Sequence, residues 1–451
     1  MSSLAEAKAG YLEAFERRAR GARSAPRWLE GARRAAIGAF DAIGFPGPKS
    51  EDWKYTGVTP IVGEPFYAAL GEPRAAYDPA RAAALLRSLA LPSAEPALVF
   101  VNGSYAAELS RSDARDVHDV ITGLTVRSLA ADLAAADSLS ASRLGRVLDV
   151  KAHGFAALNA AFADDGAVVR IGEGKAVEKT LHLVFIGMAT DKPTLAHLRN
   201  LIVAEAGSHA TVVEHYVSEQ GVHFTNSVTE VSLARGATLR HVKIQDEADT
   251  AYHVGRLEAD LGEQASLASH VVTVGAALSR SEITVRLAGR LAECRLDGLY
   301  ALGGERHADH HTVIDHAVRE TKSFENYKGV LDDSSRGVFT GRVIVRRDSQ
   351  KVEARQQNKN LLLSDGAVVE TRPQLEIYAD DVQCSHGAAI GRLDENALFY
   401  LRQRGLDVAA ARGLLTWAFA SEILDKLPGE ALRRVVTERV RRGALGEEVG
   451  R

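Results

Sequence analysis

Ala206-Gly207-Ser208, Arg235-Gly236-Ala237, Leu261-Gly262-Glu263 and Ala288-Gly289-Arg290 punctuate the middle of a 451-residue chain, their glycines 29, 26 and 27 residues apart. Around them lie short runs rich in Val, Thr, Leu and Ile: Leu181 to Ile186, Asn200 to Ala204, Thr211 to Val217, Thr238 to Ile244, Ser281 to Leu287 and Val338 to Val345. From about 165 to about 390 there is almost no helical periodicity, so these runs read as strands. A nearly constant interval of β-units set off by glycine predicts a β-solenoid (β-helix). One rung of such a stack cannot bury its apolar face alone. Neighbouring rungs therefore share a continuous core, and the glycines take tight corners. A β-sandwich is the competing architecture, disfavoured because hairpin dipeptides such as Asn-Gly are scarce.

Outward from this core the pattern turns helical. Residues 1 to about 45 predict two helices, the second from near Pro26-Arg27-Trp28 to Gly44, ahead of the breaker run Phe45-Pro46-Gly47-Pro48. Between 80 and 160 come helical stretches (Ala83 to Leu89, Leu129 to Ala135, Ala156 to Phe162). One short strand, Leu98 to Val101, is closed by Asn102-Gly103-Ser104. After Gly391, Asp394 can cap a helix that Gly405 ends. Asp407 can cap the next, with Ala411, Leu414, Leu415, Ala418, Phe419 and Ile423 on its apolar side. Pro428, at a first-turn position, opens a third from Glu430 to Arg442. The expected organisation is a helical and irregular N-terminal region (1–160), a β-helix core (161–391) and a C-terminal helical domain (392–451).

Composition narrows the function. A net charge of −4, with basic and acidic residues interleaved, leaves no electrostatic footprint for nucleic acid. No apolar run reaches membrane-spanning length, and Met1 to Arg20 lacks the apolar stretch of a signal peptide, so a cytoplasmic protein is expected. Cys294 and Cys384 are the only cysteines, too few for a disulfide framework or a four-thiolate metal site within one chain. There is no P-loop or dinucleotide fingerprint, and Gly303-Gly304 reads as a turn.

The chemistry concentrates in Asp380-Asp381-Val382-Gln383-Cys384-Ser385-His386-Gly387-Ala388. Side chains alternate along a strand, so Cys384 and His386 share a face and can address one metal ion or sulfur species. Spacing alone favours the plainer reading, a buried cysteine and a hydrogen-bonded histidine finishing the last rung. His307, Asp309 and His311 likewise share a face, followed by Asp315 and His316. A mononuclear metalloenzyme would use that cluster, although solvated histidines need no metal. A β-helix carbohydrate-active enzyme would use carboxylates such as Asp380 and Asp381. Cys294 lies within an apparent strand and reads as packing.

Three further stretches carry a resemblance: Tyr327-Lys328-Gly329-Val330-Leu331-Asp332-Asp333-Ser334-Ser335-Arg336-Gly337, then Asn358-Lys359-Asn360-Leu361-Leu362-Leu363-Ser364-Asp365, then Leu375-Glu376-Ile377-Tyr378. Together with Cys384-Ser385-His386-Gly387, Leu393-Asp394-Glu395 and Leu398-Phe399-Tyr400-Leu401, they resemble the C-terminal half of the SufB/SufD family of iron–sulfur cluster assembly proteins. Lys49-Ser50-Glu51-Asp52-Trp53-Lys54-Tyr55-Thr56 is similar to a motif of its SufD branch. The resemblance implies a non-catalytic scaffold in a complex with a SufB paralogue and the SufC ATPase. It implies that the C-terminal helices dock SufC and that the last β-helix rungs pair with SufB. By the same resemblance His386 flanks a transient cluster whose main thiolate SufB supplies. Cys384 matches the family cysteine beside it. A homodimer is a further expectation for the chain alone.

Overall fold

The structure is a computed structural model that describes residues 4–21, 26–70, 76–111, 117–119 and 123–445. The extreme ends of the expected N-terminal and C-terminal regions, 1–3 and 446–451, lie outside it. From Leu181 onward, strands of eight to eleven residues, after a first one of seven, pass alternately into two facing ten-stranded sheets, making a β-solenoid of about eight turns. Each strand pairs in parallel with the strand two positions further on, as Thr238–Asp246 does with Ser266–Thr273. Continuous parallel ladders of this kind exclude the sandwich, whose strands pair antiparallel.

Register stacks like positions into columns. One inward column runs Leu239, Leu267, Cys294, Ser323, Ala354, Cys384; the column two residues on runs His241, Ser269, Leu296, Glu325, Gln356, His386. Leu239, Leu267, Cys294 and Leu296 are fully buried in the central core. Each buried leucine contributes about 1.5–3 kcal/mol relative to exposure. Cys294 is packing, and burial pushes its thiol pKa well up. Not all of the interior is apolar. Tyr216 and Thr229 donate to Glu214 at 2.8 and 2.7 Å, and Lys243 sits against the Tyr216 ring, all of them buried.

The corners stack as well, glycine on glycine only in the first of them. Gly207 and Gly236 have φ of +65° and +67°, while the third and fourth corners place Gln264 (+58°) and Leu291 (+62°) in that left-handed conformation. The ladder of corner N–H groups confirms the alignment, with Gly207 donating to Arg235, Gly236 to Glu263 and Gln264 to Arg290, each at 2.8 Å. Gly289 serves a different need: a Cβ there would lie 2.0 Å from the Glu263 nitrogen.

The N-terminal helices Leu4–Gly21 and Arg27–Ile43 join Gly154–Phe162 around an aromatic cluster of Tyr11, Phe15, Phe40, Phe45, Phe155 and Phe162. The strand Ala97–Val101 turns at Asn102 and Gly103, both with positive φ, and pairs in parallel with Leu181–Gly187. At the other end stand helices Glu395–Gln403, Val408–Leu424 and Glu430–Leu445. Asp394 and Asp407 accept the N–H groups of Asn396 and Ala410, capping the first two. Gly429 (φ +78°) redirects the chain before the third, so Pro428 lies in the preceding turn rather than in the first helical turn. Ala420, Ile423, Leu424, Val436 and Val440 cover Val242, Val272, Leu299 and Val330 on the outer face of one sheet. Buried Lys328 pins this contact, reaching Glu422 at 2.5 Å and the Phe419 carbonyl at 2.9 Å. Among the described residues, no helix is long and apolar enough to cross a membrane.

Candidate functional site at the terminal rung

Val368–Ile377 and Val382–Gly391 are the last strands of their sheets, so each has one neighbour and one free edge. Val368 and Tyr378 donate their N–H groups inward, to Ser335 and Val345. Strand alternation therefore turns the odd-numbered N–H groups of 369–377 outward. Pro373 occupies one of those outward positions, where the missing donor breaks no internal ladder.

In the companion strand, the register of Cys384 with Ala354 and of His386 with Gln356 turns both side chains toward the solenoid interior, at its open mouth. Cys384 packs beside Val343, Val345, Val352 and Ala354 and is half-buried, while His386 is exposed. Burial pushes the Cys384 thiol up, opposed by a hydrogen bond with the Ala354 backbone. On the outer face, a Cβ added to Gly387 would meet nothing within 4 Å, leaving open space next to His386. A cavity of about 340 Å³ on that outer face is lined chiefly by outward-facing residues, among them Asp297, Asn326, Arg355, Gly387 and Lys426. Burial pushes the Glu325 carboxyl up to about 7.

His307, Asp309 and His311 do share a face, but that face is covered rather than solvated. Thr56 donates to Asp309 at 2.5 Å and lies 3.1 Å from His307 Nε2, and Arg280 pairs with the same carboxylate. The Arg280 guanidinium lies 3.8 Å from the centre of the Trp53 ring, and Arg372 binds Glu51. The 49–56 stretch is thus a strap tying the N-terminal region across the late strands of the solenoid. Burial holds the pKa of His307 at about 4. Among the described residues, no three His, Cys, Asp or Glu side chains are grouped to hold a metal ion. Asp380 and Asp381 are exposed in the turn between the last strands.

Comparison with known proteins matches residues 5–183 to the SufBD protein N-terminal region, and residues 185–419 to the SufBD core domain of SUF system FeS cluster assembly. The iron–sulfur cluster assembly protein SufD of Escherichia coli is 32% identical over 400 residues, covering 88% of this chain and 89% of that protein. A SufBD family protein of Synechocystis sp. is 32% identical over 414 residues, covering 88% and 87%. The SufD of Bacillus subtilis is 27% identical over 303 residues, covering 65% and 67%.

Proposed function

Because the chain belongs to the SufB/SufD family of iron–sulfur cluster assembly proteins, in its SufD branch, we propose that it is a non-catalytic cytoplasmic scaffold whose terminal rung forms half of a cluster-assembly site. The other half comes from a SufB paralogue, pairing edge to edge with this solenoid. The nascent cluster is cargo, held transiently between the two chains. The C-terminal helices dock the SufC ATPase, and ATP is hydrolysed there. In the absence of the paralogue, the same edge would accept a second copy of this chain.

One observation carries the reading: Cys384 and His386 share a face of Val382–Gly391, one of the two open-edged strands at the mouth of the solenoid. An open edge offers unpaired N–H and C=O groups to another β-structure. Imidazole suits iron. A single thiolate at the mouth cannot complete a cluster, so the remaining ligands must come from across the interface.

The test is to co-express this chain with its SufB and SufC partners and compare variants. His386→Ala should leave assembly intact by size-exclusion chromatography while sharply lowering cluster absorbance and bound iron. Cys384→Ser should lower them less, the partner supplying the main thiolate. Full loading of the His386→Ala complex would remove this histidine from the site.

A further inference from the structure

The inward column that ends on His386 has polar support beneath it. Register places Glu325 under Gln356 and Gln356 under His386, with Leu296 closing the column below. Glu325 and Gln356 are each only 3% exposed. The Gln356 amide Nε2 donates to Glu325 Oε2 at 2.6 Å. That contact sets the amide nitrogen toward Glu325. The carbonyl Oε1 is the end left over, and it is buried with no hydrogen-bond partner.

Room for this amide is made from the opposite sheet. A Cβ on Gly341 would lie 2.2 Å from Gln356 Nε2 and 2.9 Å from its Cδ. A glycine inside a strand weakens it, and here the gain is space for a side chain crossing the interior. A buried carbonyl without a partner costs about 1–3 kcal/mol. Such a group calls for a partner, which water or a neighbouring donor can supply. The residue stacked on the free side is His386. An imidazole that engages a metal or sulfur species through one nitrogen presents an N–H at the other, and that N–H needs an acceptor to fix tautomer and ring orientation.

Resting on the reading of His386 as a residue of the assembly site, we propose that Gln356 is its positioning residue: Oε1 accepts the His386 ring N–H, while Glu325 holds the amide from below. The other ring nitrogen is then presented, unprotonated, to the partner across the edge.

The first readout is independent of cluster chemistry. In the full-length chain labelled with ¹⁵N-histidine, the His386 signals are those lost in His386→Ala, and long-range ¹H–¹⁵N spectra report the tautomer ratio of the neutral ring. Gln356→Met should lower that ratio by about 2- to 10-fold, the worth of one hydrogen bond, and Gln356→Glu, which keeps an acceptor, should restore it. If Gln356→Met does not fold, Gly341→Ala displaces the amide and should have the same effect. An unchanged ratio in either folded variant overturns the proposal. In the co-expressed complex, cluster content should fall with Gln356→Met and recover with Gln356→Glu. A fall without a tautomer change would mean lost packing and also overturns it. Full loading of the His386→Ala complex would instead strike the functional reading, leaving the tautomer ratio to decide the role of Gln356.

Discussion

Burial lifts the Glu325 carboxyl from the ordinary carboxylate value of 4.5 up to about 7, which makes it a measurable source of pH-dependent stability. Between those two values the folded chain holds a proton that the unfolded chain has released, so this residue's contribution is full below about 4.5 and is lost as pH rises through about 7. Glu325→Gln keeps shape and acceptor but cannot ionise. Its stability relative to wild type should be unchanged at pH 4, rise between pH ~4.5 and ~7, and level off at a gain on the order of 3 kcal/mol. Denaturant midpoints at several pH values check this, and a pH-independent difference would mean that Glu325 is not ionising in the core. At this scale the sequence was legible where a two-residue rule suffices: alternation alone puts Cys384 with His386, and His307 with Asp309 and His311. It was silent on Glu325 and Gln356, because a polar residue in a strand reads as solvent-facing. Only the stacking of strands about 30 residues apart turns them inward. Nor could it say that Thr56 and Trp53, some 250 residues upstream, cover the His307 face.

The edge strand Val368–Ile377 argues its role through its own backbone. Its odd-numbered N–H groups face outward, and the natural Pro373 already shows that a missing donor on that side is compatible with the fold. Ile377→Pro removes another outward donor, whereas Glu376→Pro removes one that serves the internal ladder with Arg336–Val345. The first should fold normally and bind the SufB partner about 5- to 10-fold more weakly, the worth of one or two backbone hydrogen bonds. The second should loosen the last rung and lower the melting temperature. Titration of the purified partner against each variant decides the matter, and undiminished affinity of folded Ile377→Pro would move the interface elsewhere. The solenoid itself was readable because its corners recur, yet the intervals of 29, 26 and 27 were uneven for a structural reason. Gly262 and Gly289 are not the equivalents of Gly207 and Gly236, since Gln264 and Leu291 hold those corner positions with positive φ. A pattern search on glycine finds the period and misplaces the phase.

Taken whole, the molecule differs between its two ends. At one end antiparallel strands extend the sheets, Ser104–Tyr105 against Ala97–Val101 and Leu124–Ser128 against Ala167–Ile171, while the exposed large apolar residues gather toward the other end. Val368, Ile377, Tyr378 and Ile390 lie on the terminal rung, and Phe399, Tyr400, Val408 and Leu414 on the C-terminal helices. Patches of this kind mark interaction surfaces. The helix Val408–Leu424 divides its apolar residues between two jobs. Ala411, Ala420, Ile423 and Leu424 are buried, the last three against the sheet, whereas Leu414 is 47% exposed and Ala418, one turn further on, is exposed as well. Removing residues 394–451 would therefore strip the cover from Val242, Val272, Leu299 and Val330, and lost binding would be inseparable from a damaged core. Substitutions on the exposed stripe separate the two. Leu414→Glu combined with Ala418→Glu should change stability by no more than about 1 kcal/mol, as surface changes do, while weakening SufC binding at least 10-fold by placing two charges in an apolar contact. Ile423→Glu should unfold the helical cover instead. Calorimetric titration of SufC, read beside thermal melts, distinguishes these outcomes, and wild-type affinity in the double variant would show that the ATPase docks on another face.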